Sequence, residues 1–143
     1  MKRIGIYGGT FNPPHIGHIQ AAKAAIQVLG LTHLLLIPDR IAPHKQIPDG
    51  SPDPQQRLQM LSLAAADNPR MEVLDIELRR EGPSYSYITV AQLREAYPHA
   101  ELVFLMGTDM FLSFLSWKNP HCILEKASLG VLYRGEKGET QRI

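Results

Sequence analysis

The sequence predicts an α/β fold in which a parallel β-sheet carries helices on both faces. Short aliphatic runs alternate along the chain with segments whose apolar residues recur every three or four positions. Such alternation is typical of parallel sheets, because the crossover between two parallel strands usually contains a helix. The 143 residues are enough to bury one sizeable core, so we expect a single domain over residues 1–143.

Five segments are predicted to be β-strands, because each is a short run rich in aliphatic residues. They span residues 3–7, 33–37, 71–78, 102–106 and 129–133. Gly8-Gly9 ends the first of these strands and Gly107 ends the fourth. Such apolar runs are typical of strands that are covered on both faces of a sheet.

Three helices are predicted between these strands, at residues 16–29, 54–66 and 86–96. In the first, the apolar residues follow the helical period, and Gly30 is placed to cap its end. In the second, Asp53 is the expected N-cap and Pro54 the first helical residue. The proline-rich residues 38–52 are predicted to form a long exposed loop.

Composition argues against several functional classes. The formal net charge is +1, which predicts no broad basic face and therefore no nucleic-acid partner. The longest aliphatic run, residues 34–37, is far too short to span a membrane, and no signal peptide is evident after Met1. The single cysteine, Cys122, suits a reducing compartment, so the expected location is cytoplasmic.

Three loops that follow predicted strands are candidates for a ligand site. They span residues 8–15, 38–45 and 107–109. Ligands of parallel α/β sheets bind beyond the carboxyl ends of the strands. We therefore expect these loops to meet at one edge of the sheet.

The first of these loops, together with the helix after it, gives the strongest signal for phosphate binding. Gly8 and Gly9 let the backbone approach a ligand closely, and the helix start presents amides with about half a positive charge. His15 and His18 are three residues apart, so both imidazoles can donate to phosphate oxygens from one helix face. Attack of one phosphate on another needs positioning and fixed electrostatics rather than a protein nucleophile.

The segment His15-Ile16-Gly17-His18 resembles the signature of the nucleotidyltransferase superfamily related to class I aminoacyl-tRNA synthetases. With Gly8-Gly9-Thr10-Phe11 ahead of it, the chain is similar over essentially its whole length to nicotinate- or nicotinamide-mononucleotide adenylyltransferases. The resemblance implies a Rossmann-like sheet and transfer of the adenylyl group of ATP to nicotinate mononucleotide, giving nicotinate adenine dinucleotide and pyrophosphate. ATP, with Mg²⁺ carried by its phosphates, and a pyridine mononucleotide are the implied partners.

The resemblance also implies roles for individual residues. The implied catalytic residues are His15 and His18. The residues implied to bind ATP are Gly8, Gly9, Thr10, Phe11, Gly17, Gly107 and Asp109. The residues implied to bind the pyridine substrate are Lys45, Tyr85, Ser86, Trp117 and Arg134.

Several of these residues have a structural interpretation as well. Lys45 is equally typical of a solvated surface lysine, and Asp109 or Ser86 of a helix cap. Trp117, the single tryptophan, is as consistent with a core position as with a ring that stacks on the pyridine, although its polar neighbours suggest exposure.

The resemblance has one departure. Family members carry a later Ser-Thr-containing motif that ends in arginine and lies at a helix N-terminus, and none is found before Ile143. We therefore expect a Rossmann-like sheet truncated at the C-terminus, in a chain that is either cut off or a degenerate homologue. A cut-off enzyme should bind ATP weakly and turn over slowly.

Other functions stay open at this point. They are a sister transferase acting on pantetheine phosphate or glycerol phosphate, and a non-catalytic nucleotide-binding remnant. No metal site is predicted, because His15 and His18 lack a third ligand at suitable spacing. The choice between nicotinate and nicotinamide mononucleotide, and between a monomer and a homo-oligomer, also stays open.

Overall fold

The computed structural model describes residues 2–9, 16–39, 53–80, 85–134 and 140–142, without the side chains of 16, 17, 133, 134 and 140–142. The strands are β1 Arg3–Gly9, β2 His33–Pro38, β3 Met71–Val73, β4 Glu101–Gly107, β5 Ser128–Arg134 and β6 Thr140–Arg142. The helices are α1 Ile16–Leu29, α2 Pro54–Ala65, α3 Ser86–Ala96, α4 Thr108–Leu112 and α5 Pro120–Lys126, with a 3₁₀ turn at Phe114–Ser116.

The six strands form one sheet in the order β3-β2-β1-β4-β5-β6. The first five are parallel, and β6 runs antiparallel to β5. The order of the parallel strands is that of the doubly wound fold. Successive strands are added on one side of β1 as far as β3, and then on its other side from β4 onward. The predicted Rossmann-like parallel sheet is thus confirmed.

Two hydrophobic clusters cover the two faces of this sheet. One joins the apolar stripes of α1 and α2, including Ala22 and Leu61, to β2 and β4. The other joins α3 and α5, through Val90 and Ile123, to β1, β2 and β4. The prediction of helices on both faces is confirmed, because α1 and α2 pack their apolar sides on one face of the sheet and α3 and α5 pack theirs on the other.

Helix ends follow the predicted local chemistry. The Gln56 amide donates to Asp53 Oδ1 at 2.8 Å, and the Asp53 amide donates to Gln56 Oε1 at 2.9 Å, forming a capping box before α2. Gly30 has a φ of +63°, and the Leu31 amide donates to the Ile26 carbonyl at 3.0 Å. This closes the C-terminus of α1 with the left-handed residue expected there.

The predicted strand at residues 71–78 is wrong beyond Val73. One further ladder bond joins the Leu74 amide to the Leu36 carbonyl at 2.9 Å. The chain then turns at Asp75, whose carbonyl accepts from the Leu78 amide at 3.0 Å. The apolar pattern continues through this turn because its side chains pack on the core without pairing in the sheet. In the part of the chain described here, no helix has the length and apolar character needed to cross a membrane.

Candidate functional site

The sheet opens between β1 and β4 at its carboxyl edge. Backbone pairing between the two strands ends at Tyr7 and Leu105. Beyond that point β1 continues beside β2 as far as Gly9, while β4 continues beside β5 as far as Gly107. The strands therefore part where the strand order reverses, which is the place at which doubly wound sheets bind ligands.

β1 and α1 bring several predicted phosphate-binding residues to this opening. Gly8 and Gly9 end β1, and Gly17 and His18 lie in the first turn of α1. A Cβ built on Gly8 would have a single described atom within 4 Å, the Ile37 carbonyl oxygen at 3.8 Å. The Gly8 backbone is therefore accessible to a ligand. The His18 side chain is partly exposed. An anion bound here would face the amino end of a 14-residue helix and its positive dipole.

β4 contributes the second wall of the opening. Gly107 is the N-cap of α4, and a Cβ built on it would have no described atom within 4 Å. Asp109 lies in the first turn of α4 and is exposed. The Thr108 Oγ1 is buried and has no hydrogen-bond partner among the described residues. Buried hydroxyls are nearly always hydrogen-bonded, so this oxygen has capacity for a ligand or for a residue outside the described ranges.

The amino end of α3 carries two of the predicted substrate-binding residues. Tyr85 is the N-cap of this helix and Ser86 its first residue, and both are partly exposed. Lys118 Nζ lies 4.9 Å from the centroid of the Tyr85 ring, a cation–π geometry that joins the segment to the chain after the 3₁₀ turn. The Ile88 amide donates to the Tyr85 carbonyl at 3.2 Å. The amides before it come too early in the helix for an intrahelical partner, so this end of α3 can also accept an anion.

Trp117 is buried, with 8% of its surface exposed, although the polar residues beside it suggested exposure. Its ring meets Phe104 edge-on with centroids 6.1 Å apart, and Phe114 at 5.2 Å. The indole Nε1 donates to Ser113 Oγ at 3.2 Å. The structural interpretation of Trp117 therefore holds, and its stacking on a pyridine ring stays a prediction.

A buried polar cluster, formed by Asp39, Arg57, Glu77 and Thr89, lies beside this edge of the sheet. Asp39 follows β2, and its amide donates to the Gly9 carbonyl at 2.9 Å. Arg57 Nη1, from α2, donates to Asp39 Oδ1 at 3.3 Å. The cluster is thus joined to the end of β1, where the phosphate-binding residues are predicted.

Glu77 is an acidic residue with a strongly perturbed ionisation. Burial raises its pKa to about 7, against the opposing effects of the Thr89 hydrogen bond and the Arg80 charge, while the Asp39 charge raises it further. Thr89 Oγ1 donates to Glu77 Oε2 at 2.6 Å. A carboxyl group that titrates near neutrality beside a cleft is a candidate functional residue.

Several predicted site residues lie outside the described residues. They are Thr10, Phe11, His15 and Lys45. Arg134 is the last residue of β5, at the carboxyl edge of the sheet, but its side chain also lies outside the description. The roles predicted for these five residues stay predictions.

Sequence reasoning missed the buried polar cluster. Asp39 stands directly after a buried strand, which is a position that could have singled it out. Glu77 lay within the strand predicted at residues 71–78, and nothing in that prediction singled it out. Arg57 and Thr89 carry no such signal, because charged and hydroxyl residues are ordinary on the outer faces of helices.

Comparison with known proteins places this geometry in a family context. The family model described as Cytidylyltransferase-like matches residues 6–140. A Dictyoglomus turgidum protein named "Probable nicotinate-nucleotide adenylyltransferase" is 44% identical over 135 residues, which cover 94% of this chain and 66% of that protein. A Bacillus subtilis protein named nicotinate-nucleotide adenylyltransferase is 43% identical over 117 residues, covering 82% of this chain and 61% of that protein. The chain therefore spans less than two thirds of the length of these two relatives.

A solved structure shares the fold. It is the Plasmodium falciparum nicotinic acid mononucleotide adenylyltransferase complexed with APC, with a TM-score of 0.78 over 95% of this chain and 66% of that chain. The sequence identity is 17%, so this likeness concerns the arrangement of strands and helices.

Proposed function

The chain belongs to the cytidylyltransferase-like family, and we propose that it transfers the adenylyl group of ATP to nicotinate mononucleotide. A phosphate oxygen of the mononucleotide attacks the α-phosphorus of ATP, the bond from that phosphorus to the bridging oxygen breaks, and pyrophosphate leaves. The products are nicotinate adenine dinucleotide and pyrophosphate. The names of the relatives at 44% and 43% identity support this choice of acceptor.

The observation that carries the proposal is the parting of β1 and β4 at the reversal of strand order. It leaves Gly8 and Gly9 on one wall, and Gly107 and Asp109 on the other. Phosphoryl transfer of this kind depends on positioning and fixed electrostatics, which backbone amides and imidazoles supply.

Within this site we assign ATP to the opening between β1 and β4. Gly8, Gly9, Thr10, Phe11 and Gly17 contact its phosphates, and Gly107 and Asp109 lie by the nucleotide. His15 and His18 stabilise the negative charge that develops on pyrophosphate. ATP enters as its magnesium complex, because phosphate oxygens are preferred ligands of that ion.

We assign the pyridine mononucleotide to the side of the site near α3. Tyr85 and Ser86 offer helix-terminal amides to the carboxylate on the pyridine ring. Lys45 and Arg134 contact phosphate groups, and Trp117 contributes an aromatic wall. We further propose that residues 1–143 act as one domain in the cytoplasm without nucleic acid or a membrane.

The test is pyrophosphate release by the chain with ATP and each acceptor in turn. We expect turnover with nicotinate mononucleotide, and a lower kcat/KM with nicotinamide mononucleotide, because a neutral amide gains less from a helix terminus. Equal values, or a preference for the amide, would reject the specificity. Turnover with pantetheine phosphate, or with CTP and glycerol phosphate, would identify a sister transferase. Nucleotide binding without turnover of any acceptor would identify a non-catalytic remnant.

A further inference from the structure

A continuous hydrogen-bonded chain joins the buried carboxyl group of Glu77 to the amino end of α3. Thr89 Oγ1 donates to Glu77 Oε2 at 2.6 Å and accepts from Arg80 Nη2 at 2.8 Å. The same Arg80 nitrogen donates to the Tyr85 carbonyl at 3.5 Å, and Nη1 donates to Gln92 Oε1 at 3.1 Å. The guanidinium is therefore held at two nitrogens, and one of its contacts is the N-cap backbone of α3.

The Glu77 carboxylate, which can only accept, fixes which atom donates and which accepts in this series of hydrogen bonds. A threonine hydroxyl has one proton, so a hydroxyl that donates to Glu77 turns its lone pairs toward Arg80. Glu77 Oε2 also lies 3.9 Å from Arg80 Nη2, which gives a second, coulombic hold on the same group. Bonds between charged partners in a buried site are stronger than those between neutral ones, so the carboxylate fixes Arg80 more firmly than a neutral group would.

We propose that Glu77 is a positioning residue for the pyridine-binding segment, holding the Tyr85 backbone in place through Thr89 and Arg80. This inference rests on the proposed function, in which Tyr85 and Ser86 receive the anionic group of the pyridine ring. The amides of a helix terminus bind an anion well only when they are preorganised, because reorganisation on binding costs affinity. Glu77 does not touch the substrate. It acts through Arg80.

The proposal predicts a pH-dependent affinity. Glu77 faces Arg80 on its own turn, Thr89 on α3, and Asp39 at the end of β2, which is itself paired with Arg57 of α2. Its pKa of about 7 places the loss of the carboxylate charge in the neutral range. Protonation weakens the hold on Arg80, so the affinity for nicotinate mononucleotide falls as the pH drops through neutrality.

The experiment compares the chain with its Glu77→Gln variant, which keeps the side-chain shape and removes the ionisation. Calorimetric Kd values for nicotinate mononucleotide are measured from about pH 6 to about pH 8, a window that spans the raised Glu77 pKa of about 7. We expect Glu77→Gln to bind about fivefold more weakly at the upper end, the effect of one typical hydrogen bond, and equally at the lower end. Glu72→Gln on β3 is the matched control, because Glu72 is an exposed carboxylate. A constant ratio of the two Kd values across the range would overturn the proposal.

Two further variants keep the test decisive if Glu77→Gln folds poorly. Thr89→Ser preserves the hydroxyl and should retain the pH dependence, whereas Thr89→Val removes the hydroxyl and should reduce it to what the direct 3.9 Å contact between Glu77 and Arg80 supplies. Equal pH dependence in both would overturn the proposal.

Amide hydrogen exchange separates this inference from the proposed function, because it needs no substrate. We expect faster exchange of the α3 first-turn amides in Glu77→Gln and Thr89→Val than in the parent chain, after correction for intrinsic rates. Faster exchange together with no binding of either mononucleotide would reject the proposed function and retain the positioning role. Unchanged exchange would overturn the positioning role, whatever the chain binds.

Discussion

Arg57 and Asp39 form a buried ion pair that joins α2 to the carboxyl end of β2. Arg57 Nη1 donates to Asp39 Oδ1 at 3.3 Å, with 1% and 12% of the two side chains exposed. The Asp39 amide in turn donates to the Gly9 carbonyl at 2.9 Å, so the pair adjoins the end of β1. The free-energy cost of removing two charges from water roughly offsets their attraction. Such a pair therefore affects stability chiefly when one partner is removed and the other charge stays buried.

Removing one partner of this ion pair should therefore destabilise the fold strongly. Arg57→Met is expected to lower the free energy of unfolding by roughly 3–5 kcal/mol, because it leaves the Asp39 carboxylate buried without its guanidinium. The measurement is urea unfolding followed by circular dichroism. The control is Arg79→Met, which breaks the 2.8 Å pair with Asp75 in a more exposed setting. That change should cost under about 1 kcal/mol. Equal losses in the two variants would contradict the buried-pair interpretation.

The raised pKa of Glu77 predicts a pH dependence of stability. The unfolded chain ionises this carboxyl near its ordinary value of 4.5, and the folded chain near about 7. Between these values the folded state binds more protons, so its stability falls as the pH rises, and the loss is complete above the folded pKa. The difference corresponds to a loss on the order of 3 kcal/mol.

Unfolding free energies of the parent chain and Glu77→Gln from acidic to neutral pH test this dependence. The parent should lose stability relative to the variant as the pH rises through this window. Parallel curves would show that Glu77 titrates alike in both states. If the parent instead gained stability relative to Glu77→Gln as the pH rises, the folded state would favour the carboxylate over the protonated acid.

Adding a methyl group at two glycines in strands should change the stability of the fold by different amounts. A Cβ on Gly130 would lie 2.7 Å from Leu105 Cδ2 and 3.2 Å from Val103 Cγ1, both in buried side chains. Gly130→Ala should therefore cost about 1–3 kcal/mol by overpacking. Gly107→Ala meets no described atom within 4 Å and should change stability by under about 0.5 kcal/mol.

The same pair of variants also tests the proposed ATP site. Because Gly107 borders the opening between β1 and β4, Gly107→Ala should weaken ATP binding, measured by calorimetry, while thermal unfolding stays near the parent value. Normal ATP affinity in Gly107→Ala would remove this glycine from the site. Normal stability in Gly130→Ala would show that Leu105 and Val103 can shift.

The sheet and its ligand-binding edge could be predicted from the sequence because their signals are local. Apolar runs ended by Gly8-Gly9 and by Gly107 mark the strand ends, and capping residues such as Asp53 mark a helix start. The parallel arrangement then brings the carboxyl ends of the strands to one edge.

The packing inside that edge could not be predicted in the same way. Thr89 meets Glu77 across 12 positions of sequence, and Arg57 meets Asp39 across 18. Those contacts depend on how α2 and α3 dock, which no local pattern encodes. The end of the third strand was misjudged for a related reason, since the apolar residues after Val73 pack on the core from a turn. The short helices α4 and α5 were missed because 5 and 7 residues are too few to display a period.

His18 should act chiefly in the transition state of the proposed reaction. Its imidazole is partly exposed in the first turn of α1, where a donor can reach phosphate oxygens beside the positive end of the helix. If it stabilises the charge on departing pyrophosphate, His18→Ala lowers kcat by about 10²–10³ and leaves the Kd for ATP nearly unchanged.

Single-turnover pyrophosphate release at saturating substrates measures this effect. His33→Ala is the control, because His33 is also partly exposed but begins β2, at the opposite edge of the sheet from the carboxyl ends. It should keep the parent rate. A parallel loss of ATP affinity in His18→Ala would assign the imidazole to ground-state binding instead. An unchanged rate in His18→Ala, with the circular dichroism spectrum of the parent, would remove His18 from the mechanism and leave the helix dipole and backbone amides as the source of stabilisation.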